Sequence, residues 1–434
     1  MRSVTVGILG LGNVGAGTVR LLQERRFAIE ARLGAVLEVR RICVREAARR
    51  RAVEVPAELI TTDPREVIDD PLIDIIVELV GGVEPACTYI LAALRAGKHV
   101  VTANKAVLAE RGAEIFAVAA AHGRAVYFEG SVAGVIPILR SLREGLASDR
   151  IDAVAGIVNG TSNFILDAMT RSGADFTEAL RGAQAAGYAE ADPSLDVGGG
   201  DAAHKLALLT LVAFGVRVDP RLIFTEGITG VSAFDIRTVG ELGYVVKSLA
   251  IAHETAIGPC LRVHPTLVPR SHVLAGVTGA YNAVLVESRA LGRSLYYGRG
   301  AGMMPTAVAV VSDLIELARD LVAGVAPPIA PAVRELAPAP MDPLEHENYL
   351  CVHVPNVPGV LGRVATCLGR HGVSISRMIQ DRPGRGPVAM VILTEAVSER
   401  AMQAALAELA ASADVATPPT RIRMLPASLT RQYG

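Results

Sequence analysis

The chain has 434 residues, 51% of them hydrophobic and 20% charged, with 43 basic against 44 acidic side chains for a formal net charge of −1. At roughly 100–200 residues per domain this length implies two to four domains, and near-neutrality leaves no broad electrostatic footprint for nucleic acid or an anionic membrane. Mean hydropathy is +0.37, yet no apolar run approaches the ~18–20 residues that cross a bilayer.

Residues 3–9 alternate and are rich in β-branched side chains, so they read as a strand. GLGNVG follows at Gly10–Gly15, and Val19, Leu21 and Leu22 begin a helical pattern. Further strands are expected at 36–44, 73–82, 98–105 and 124–130, with helices up to Leu94 and over 109–121. Gly10, Gly12, Asn13 and Gly15 break the opening apolar stretch too early for a signal peptide. Strand–helix alternation over residues 1–130 predicts a Rossmann-type doubly wound parallel sheet.

Residues 131–302 change texture and predict an α+β domain, with strands at 151–158, 261–268, 282–288 and 293–297. Helices are expected there at 134–146, 162–171, 177–187 and 201–214. A long helix at 303–322 is expected to return to the first domain. Residues 323–347 hold six prolines and read as a linker that allows domain motion. Residues 348–427 then follow the order β-α-β-β-α-β, which predicts a ferredoxin-like domain. The five cysteines are widely spaced and form no C-x-x-C, so a disulfide framework or structural zinc is not expected and a cytoplasmic location is.

G-x-G-x-x-G between a strand and a helix suits a dinucleotide: the glycines let backbone approach a pyrophosphate at the helix N-terminus. Gly10, Gly12, Asn13, Val14 and Gly15 are therefore expected at the cofactor. The end of the second strand carries Arg40, Arg41 and Arg45, with Glu38 and Glu46 only flanking. Arginine there favours a 2′-phosphate, so NADP is expected, with NAD as the alternative.

Of the 43 basic residues only four are lysines: Lys98, Lys105, Lys205 and Lys247. A chain that fills nearly every cationic position with arginine retains lysine where an amine is needed. Residues 187–205 read GYAEADPSLDVGGGDAAHK, so Glu190, Asp192, Asp196 and Asp201 precede Lys205. Asp201 and Lys205 are i and i+4 on one helix face. A surface ion pair is the plain alternative, but the apolar Leu206–Val212 stretch argues for burial. His204 points about 100° away from Lys205 and reads as packing. No flanking residue marks Cys87 as a nucleophile.

GLGNVG, GKHVVTANK, NGTSN, GYAEADPSLDVGGGDAAHKLALL, DIRTVGELGYVVK and GRGAGMMPTA together resemble the homoserine dehydrogenase family, in that family's order. The last 80 or so residues resemble an ACT domain, with NVPGVL at 356–361 matching its ligand loop. The resemblance implies reversible reduction of L-aspartate 4-semialdehyde to L-homoserine with NAD(P)H, in threonine, methionine and isoleucine biosynthesis. It makes Lys205 the proton donor and Lys105 a second amine near the nicotinamide. Glu190 and Asp201 would hold the substrate's amino group, with Asp196 in support, and Gly187 and Gly302 would lie against the cofactor. A monovalent cation, Na+ or K+, would be held mainly by backbone carbonyls of Glu129, Val132, Gly134 and Ile136. L-Threonine is expected to inhibit through Asn356, Pro358, Gly359, Val360 and Leu361, where Asn356 replaces the commoner Asp yet could cap the next helix. A homodimer or homotetramer is expected, and no kinase-like region precedes the first strand, so a monofunctional enzyme is expected. The competing readings are an amino-acid sensor without turnover and a semialdehyde dehydrogenase acting through a cysteine.

Overall fold

Strand Ser3–Leu9 lies inside a six-stranded parallel sheet, in a computed structural model that describes residues 3–328, 334–380 and 387–430. Val36–Cys43 and Ile75–Glu78 flank it. Ile60–Thr61 lies beyond the first, and His99–Thr102 and Val126–Tyr127 lie beyond the second. Ile75–Glu78 is buried throughout, which explains its apolar run without alternation. Strand order reverses beside Ser3–Leu9, the place where open sheets of this kind take ligands.

Helix Asn13–Glu24 packs on helix Met303–Ala323. A Cβ on Gly17 would come within 2.8 Å of Met303 Cγ, so the close approach requires glycine. Val310, Leu314 and Leu317 of the later helix share one core with Val6, Ile8 and Val77. The same compact unit, Met1–Val158 with Asp201–Ile223 and Tyr281–Ala337, also holds an antiparallel sheet. In it Tyr281–Ser288 lies between Ile151–Ile157 and Gly292–Arg299. The helix expected at 134–146 is reduced to Ile138–Arg140 and a π turn at Ser141–Gly145, because residues before Pro137 form a tight loop instead.

The second unit comprises Asn159–Gly200, Phe224–Ala280 and Pro338–Gly434. Its spine is a hairpin of Tyr244–Thr255 and Gly258–Pro269, in register from Tyr244 opposite Pro269 to Thr255 opposite Gly258. The sequence pattern leaves Tyr244–Thr255 unassigned because Lys247 interrupts it. That lysine is 4% exposed, its amine donating to Val277 O and Asn163 Oδ1. Helix Ala233–Glu241, also unassigned, opens with a capping box between Ser232 and Asp235.

The C-terminal module has the expected order, with sheet neighbours Thr420–Met424, Asn348–Val354, Val388–Thr394 and Ile375–Gln380. Helices Val360–Arg370 and Glu399–Ala410 complete it. Thr420–Met424 also runs parallel to Gly258–Pro269, with Thr266 opposite Arg423. The module is thus hydrogen-bonded into the hairpin's sheet.

The segment expected as a linker differs from a free tether. Arg334–Glu335 pairs with Val216–Arg217 in the first unit, while Ala339 and Met341 pack on Cys260 in the second. Backbone pairing and the Arg217–Glu335 ion pair make the first anchor and apolar side chains the second; residues 329–333 of the expected linker lie outside the described residues. No helix among the described residues is long and apolar enough to cross a membrane.

Tyr349, fully buried in strand Asn348–Val354, donates its hydroxyl to Asp235 Oδ1 at 2.8 Å. Tyr349→Phe should lower unfolding stability by about 1–3 kcal/mol, the range for a hydrogen bond to a charged partner. Denaturant melts give the value, and a loss under ~0.5 kcal/mol would deny the bond its structural weight.

Candidate active site

In the first unit the nucleotide loop is shaped by close backbone approaches. Gly10 has φ +102°, and a Cβ there would stand 2.6 Å from Leu79 O. A Cβ on Gly15 would stand 2.3 Å from Gly10 O, so the loop folds on itself. Around Gly12 there is open space, and helix Asn13–Glu24 starts there with no side-chain cap, leaving its first N–H groups for an anion. Gly10, Gly12 and Asn13 line a cavity of about 480 Å³. Val14 turns to the core instead, and Gly15 shapes the turn without lining the cavity.

Of the three arginines expected from the strand end, only Arg45 lines this cavity. Arg40 is paired with Asp70 at 2.7 Å, and Arg41 donates to Glu58 O. Neither lines the cavity; Arg45, Arg49 and Arg50 do. The strand stops at Cys43, so residues 45–50 form the loop that faces the cavity. Arg51 fastens that loop by donating to Ala47 O and Arg49 O. Among the described residues Arg45, Arg49 and Arg50 form no ion pair, which suits an anionic group on a dinucleotide.

Two side chains not singled out in the sequence order the opposite wall. Glu78, fully buried, accepts from Val80 N, Gly81 N and Thr102 Oγ1. Asn104 caps helix Lys105–Ala121 through Val107 N and donates to Gly82 O. The TANK motif therefore fixes the loop after Ile75–Glu78 and delivers Lys105 at a helix start.

Helix Gly200–Phe214 carries Asp201 and Lys205, 4% and 9% exposed. The Lys205 amine donates to Asp201 Oδ2 and to Val158 O, both at 2.7 Å. Asp201 Oδ1 lies 3.1 Å from Lys105 Nζ. One buried carboxylate thus serves two ammonium groups. An ammonium has three N–H donors, so Lys205 keeps one beyond these two bonds. Burial lowers the pKa of His204, and both lysines add to that, so its imidazole is neutral at pH 7. Cys87 is fully buried and burial raises its thiol pKa, the opposite of an activated nucleophile.

The loop from Gly187 to Gly200 belongs to the second unit and is stitched by NGTSN. Asn159 caps helix Gly160–Ser172 through Ser162 N and donates Nδ2 to Asp196 Oδ1 at 2.7 Å. Thr161 Oγ1 donates to Tyr188 O, and Ser162 Oγ to Asp196 O. Asp196 is half-buried and Glu190 exposed. Gly187 has φ +75°, and Gly302, with φ +128°, precedes helix Met303–Ala323; neither lines the 480 Å³ cavity.

The Glu129 side chain does not face an ion: its carboxylate accepts from Leu139 N and Arg140 N. Burial, with the nearby Glu129 charge, pushes the neighbouring Asp313 carboxyl up to about 8. The loop beyond suits a cation through backbone alone. Ala133 and Gly134 have φ +53° and +60°, an unusual conformation for alanine. Val132 and Gly134 are buried, and no donor among the described residues meets their carbonyls. Glu129 O and Ile136 O each receive an N–H, from Val132 and Ile138.

Gly134 packs on Gly300, whose own missing Cβ leaves room for Asn282. That asparagine is fully buried and both of its amide atoms lack a partner among the described residues. A Cβ on Gly300 would stand 2.1 Å from Asn282 Cγ.

In the C-terminal module Asn356, Pro358, Gly359, Val360 and Leu361 all line a cavity of about 280 Å³. Asn356 does not cap the next helix; Gly359, with φ +87°, stands at its N-terminus without a side-chain cap.

These groups define a class: a dinucleotide-binding oxidoreductase with a buried lysine–carboxylate centre. Profiles for the homoserine dehydrogenase NAD-binding domain, homoserine dehydrogenase and the ACT domain match residues 10–129, 137–315 and 349–414. A homoserine dehydrogenase of Pseudomonas aeruginosa is 43% identical over 98% of this chain and 99% of its own. One from Mycobacterium tuberculosis is 44% identical over 94% and 93%. The crystal structure of a Thiobacillus denitrificans homoserine dehydrogenase superposes with a TM-score of 0.89 at 43% identity, covering 98% of this chain and 99% of that one. A hyperthermophilic archaeal homoserine dehydrogenase mutant in complex with NADPH gives a TM-score of 0.61 at 26% identity, over 72% and 97%. The chain belongs to the homoserine dehydrogenase family and is an oxidoreductase.

Gly300→Ala should cost roughly 1–3 kcal/mol of stability through the clash with Asn282. Adding Asn282→Ala should recover much of it. A double-mutant cycle from denaturant melts checks this, and simple additivity would contradict the contact.

Proposed function

We propose that the protein interconverts L-aspartate 4-semialdehyde and L-homoserine, with NADP as the preferred cofactor. The observation that carries this reading is the Asp201 carboxylate bridging Lys205 and Lys105. Bound NADPH supplies the hydride to the aldehyde carbon. Lys205 gives its proton to the aldehyde oxygen as negative charge develops there, and Lys105 adds a second positive charge. Asp201, with both oxygens on lysines, positions the two amines rather than the substrate. Glu190 and Asp196 hold the substrate's ammonium, Asp196 being oriented by Asn159.

Arg45, already expected, with Arg49 and Arg50 in place of Arg40 and Arg41, takes the 2′-phosphate, and the use of NADP is supported by the archaeal relative's complex with NADPH. Gly10, Gly12 and Asn13 take the pyrophosphate, with Gly187 and Gly302 at the cofactor. The carbonyls of Val132 and Gly134, with those of Glu129 and Ile136, would hold Na+ or K+, whose charge orders the loop. L-Threonine would inhibit from the loop Asn356–Leu361, and the pathway is that of threonine, methionine and isoleucine. The enzyme is read as a cytoplasmic homodimer or homotetramer, the free cysteines being consistent with a reducing compartment.

The test is nicotinamide absorbance with purified protein, L-homoserine, and NADP or NAD in parallel, with and without millimolar L-threonine. Lys205→Met should lower kcat by about 10²–10⁴, the range for a general acid. No turnover by the parent enzyme with either cofactor would favour a nucleotide and amino-acid sensor. Arg45→Ala should raise KM for NADP roughly 10- to 100-fold while leaving KM for NAD nearly unchanged. Equal effects on the two cofactors would place the 2′-phosphate elsewhere.

A further inference from the structure

Within the second unit, one arginine of the C-terminal module reaches the floor of the substrate loop. Arg423, 3% exposed, donates Nε and Nη2 to Glu399 at 3.2 and 2.8 Å. Its Nη1 donates to Glu226 Oε2 at 2.7 Å, and the guanidinium lies 4.9 Å from the centre of the Phe224 ring. Glu399, fully buried, also takes a bidentate bond from Arg421. Glu399 thus faces two guanidiniums, and Glu226 supplies the second carboxylate that balances them.

Glu226 follows strand Phe224–Thr225, which pairs with Arg262 and Val263, and its own N–H donates to Val263 O. The turn Val197–Gly199 rests on this strand and the residues after it. Ile228 N donates to Val197 O at 2.9 Å, and a Cβ on Gly227 would stand 2.5 Å from that same oxygen. A Cβ on Gly199 would stand 2.8 Å from Thr225 Cγ2. The turn leads along the chain from Asp196 to Asp201.

We propose that Glu226 is a positioning residue: its ion pair with Arg423 fixes the strand beneath Val197–Gly199, and so sets the Asp196–Asp201 segment from the C-terminal module. The inference rests on the reading above, in which Asp196 and Asp201 serve the reaction. The Glu226 side chain is 40% exposed but Arg423 only 3%, so losing the pair leaves a buried guanidinium short of a carboxylate and should lower stability by more than a surface bridge does. Its effect should also appear in the geometry of the turn, where small displacements matter to substrate binding.

The experiment uses full-length Glu226→Gln and Glu226→Ala. Gln keeps an oxygen for Arg423 but loses the charge, so the effect should grow from Gln to Ala. KM for L-homoserine should rise roughly three- to tenfold, with KM for NADP close to that of the parent even where the melting temperature falls. Hydrogen–deuterium exchange of peptides covering residues 194–200 should accelerate, while residues 3–43 keep parent rates. Unchanged exchange at 194–200 overturns the proposal whether or not the enzyme turns over homoserine. Equal rises in the two KM values would also overturn it, by showing general destabilisation. A parent enzyme inactive on L-homoserine, with exchange responding as expected, would refute the reaction assigned above and leave the positioning contact standing.

Discussion

The Asp201 carboxylate is the constraint on which the rest of the first unit's chemistry depends. It is almost wholly buried and lies between two amines, one from its own helix and one from the start of helix Lys105–Ala121. A buried charge left unpaired would cost several kcal/mol, so carboxylate and amines hold one another in place. With two ammonium groups on one carboxylate, the cluster keeps an excess positive charge. In the proposed reaction that charge would stabilise a developing alkoxide. Val158 O takes a second bond from Lys205 and limits the directions in which the remaining N–H can point.

The scarcity of lysine gains a physical meaning from these contacts. Lys98 is buried and donates to Asp70 O and Ile73 O, much as Lys247 ties Val277 O to Asn163. A compact ammonium can be satisfied by two or three carbonyl or amide oxygens. A guanidinium carries five donors in a plane and would leave several unmet in the same space. Two of the four lysines therefore lock loops and two share the Asp201 carboxylate. Composition alone marked all four as unusual without separating these roles.

Much of the architecture was legible because local patterns and tertiary packing agree. The parallel sheet, the returning helix and the β-α-β-β-α-β tail all follow from hydrophobic periodicity and turn residues. The Asp201–Lys205 pairing followed from i,i+4 spacing beside an apolar run. Of the arginines expected near the end of strand Val36–Cys43, Arg45 lines the cavity while Arg40 and Arg41 do not, because strand ends are decided by neighbouring strands. Tyr244–Thr255 escaped notice because the partners of Lys247, Val277 and Asn163, lie far away in sequence. Glu78 carried little local signal: two of its donors are backbone N–H groups two and three residues on, and the third, Thr102, lies on the neighbouring strand that only the fold brings beside it. The linker looked mobile by composition, yet Ala339 and Met341 supply enough apolar surface to anchor it.

The parallel pairing of Thr420–Met424 with Gly258–Pro269 also bears on how the chain is made. The hairpin's partner strand emerges roughly 140 residues after Ala280. At about 5–20 residues per second, a ribosome takes roughly 7–30 s to cover that interval. Hairpin formation itself is complete in microseconds, so the Thr266–Leu267 part of its edge waits unpaired throughout that delay. An open strand edge is a template for wrong pairing, and slower translation between residues 280 and 424 would lengthen the interval in which it is exposed.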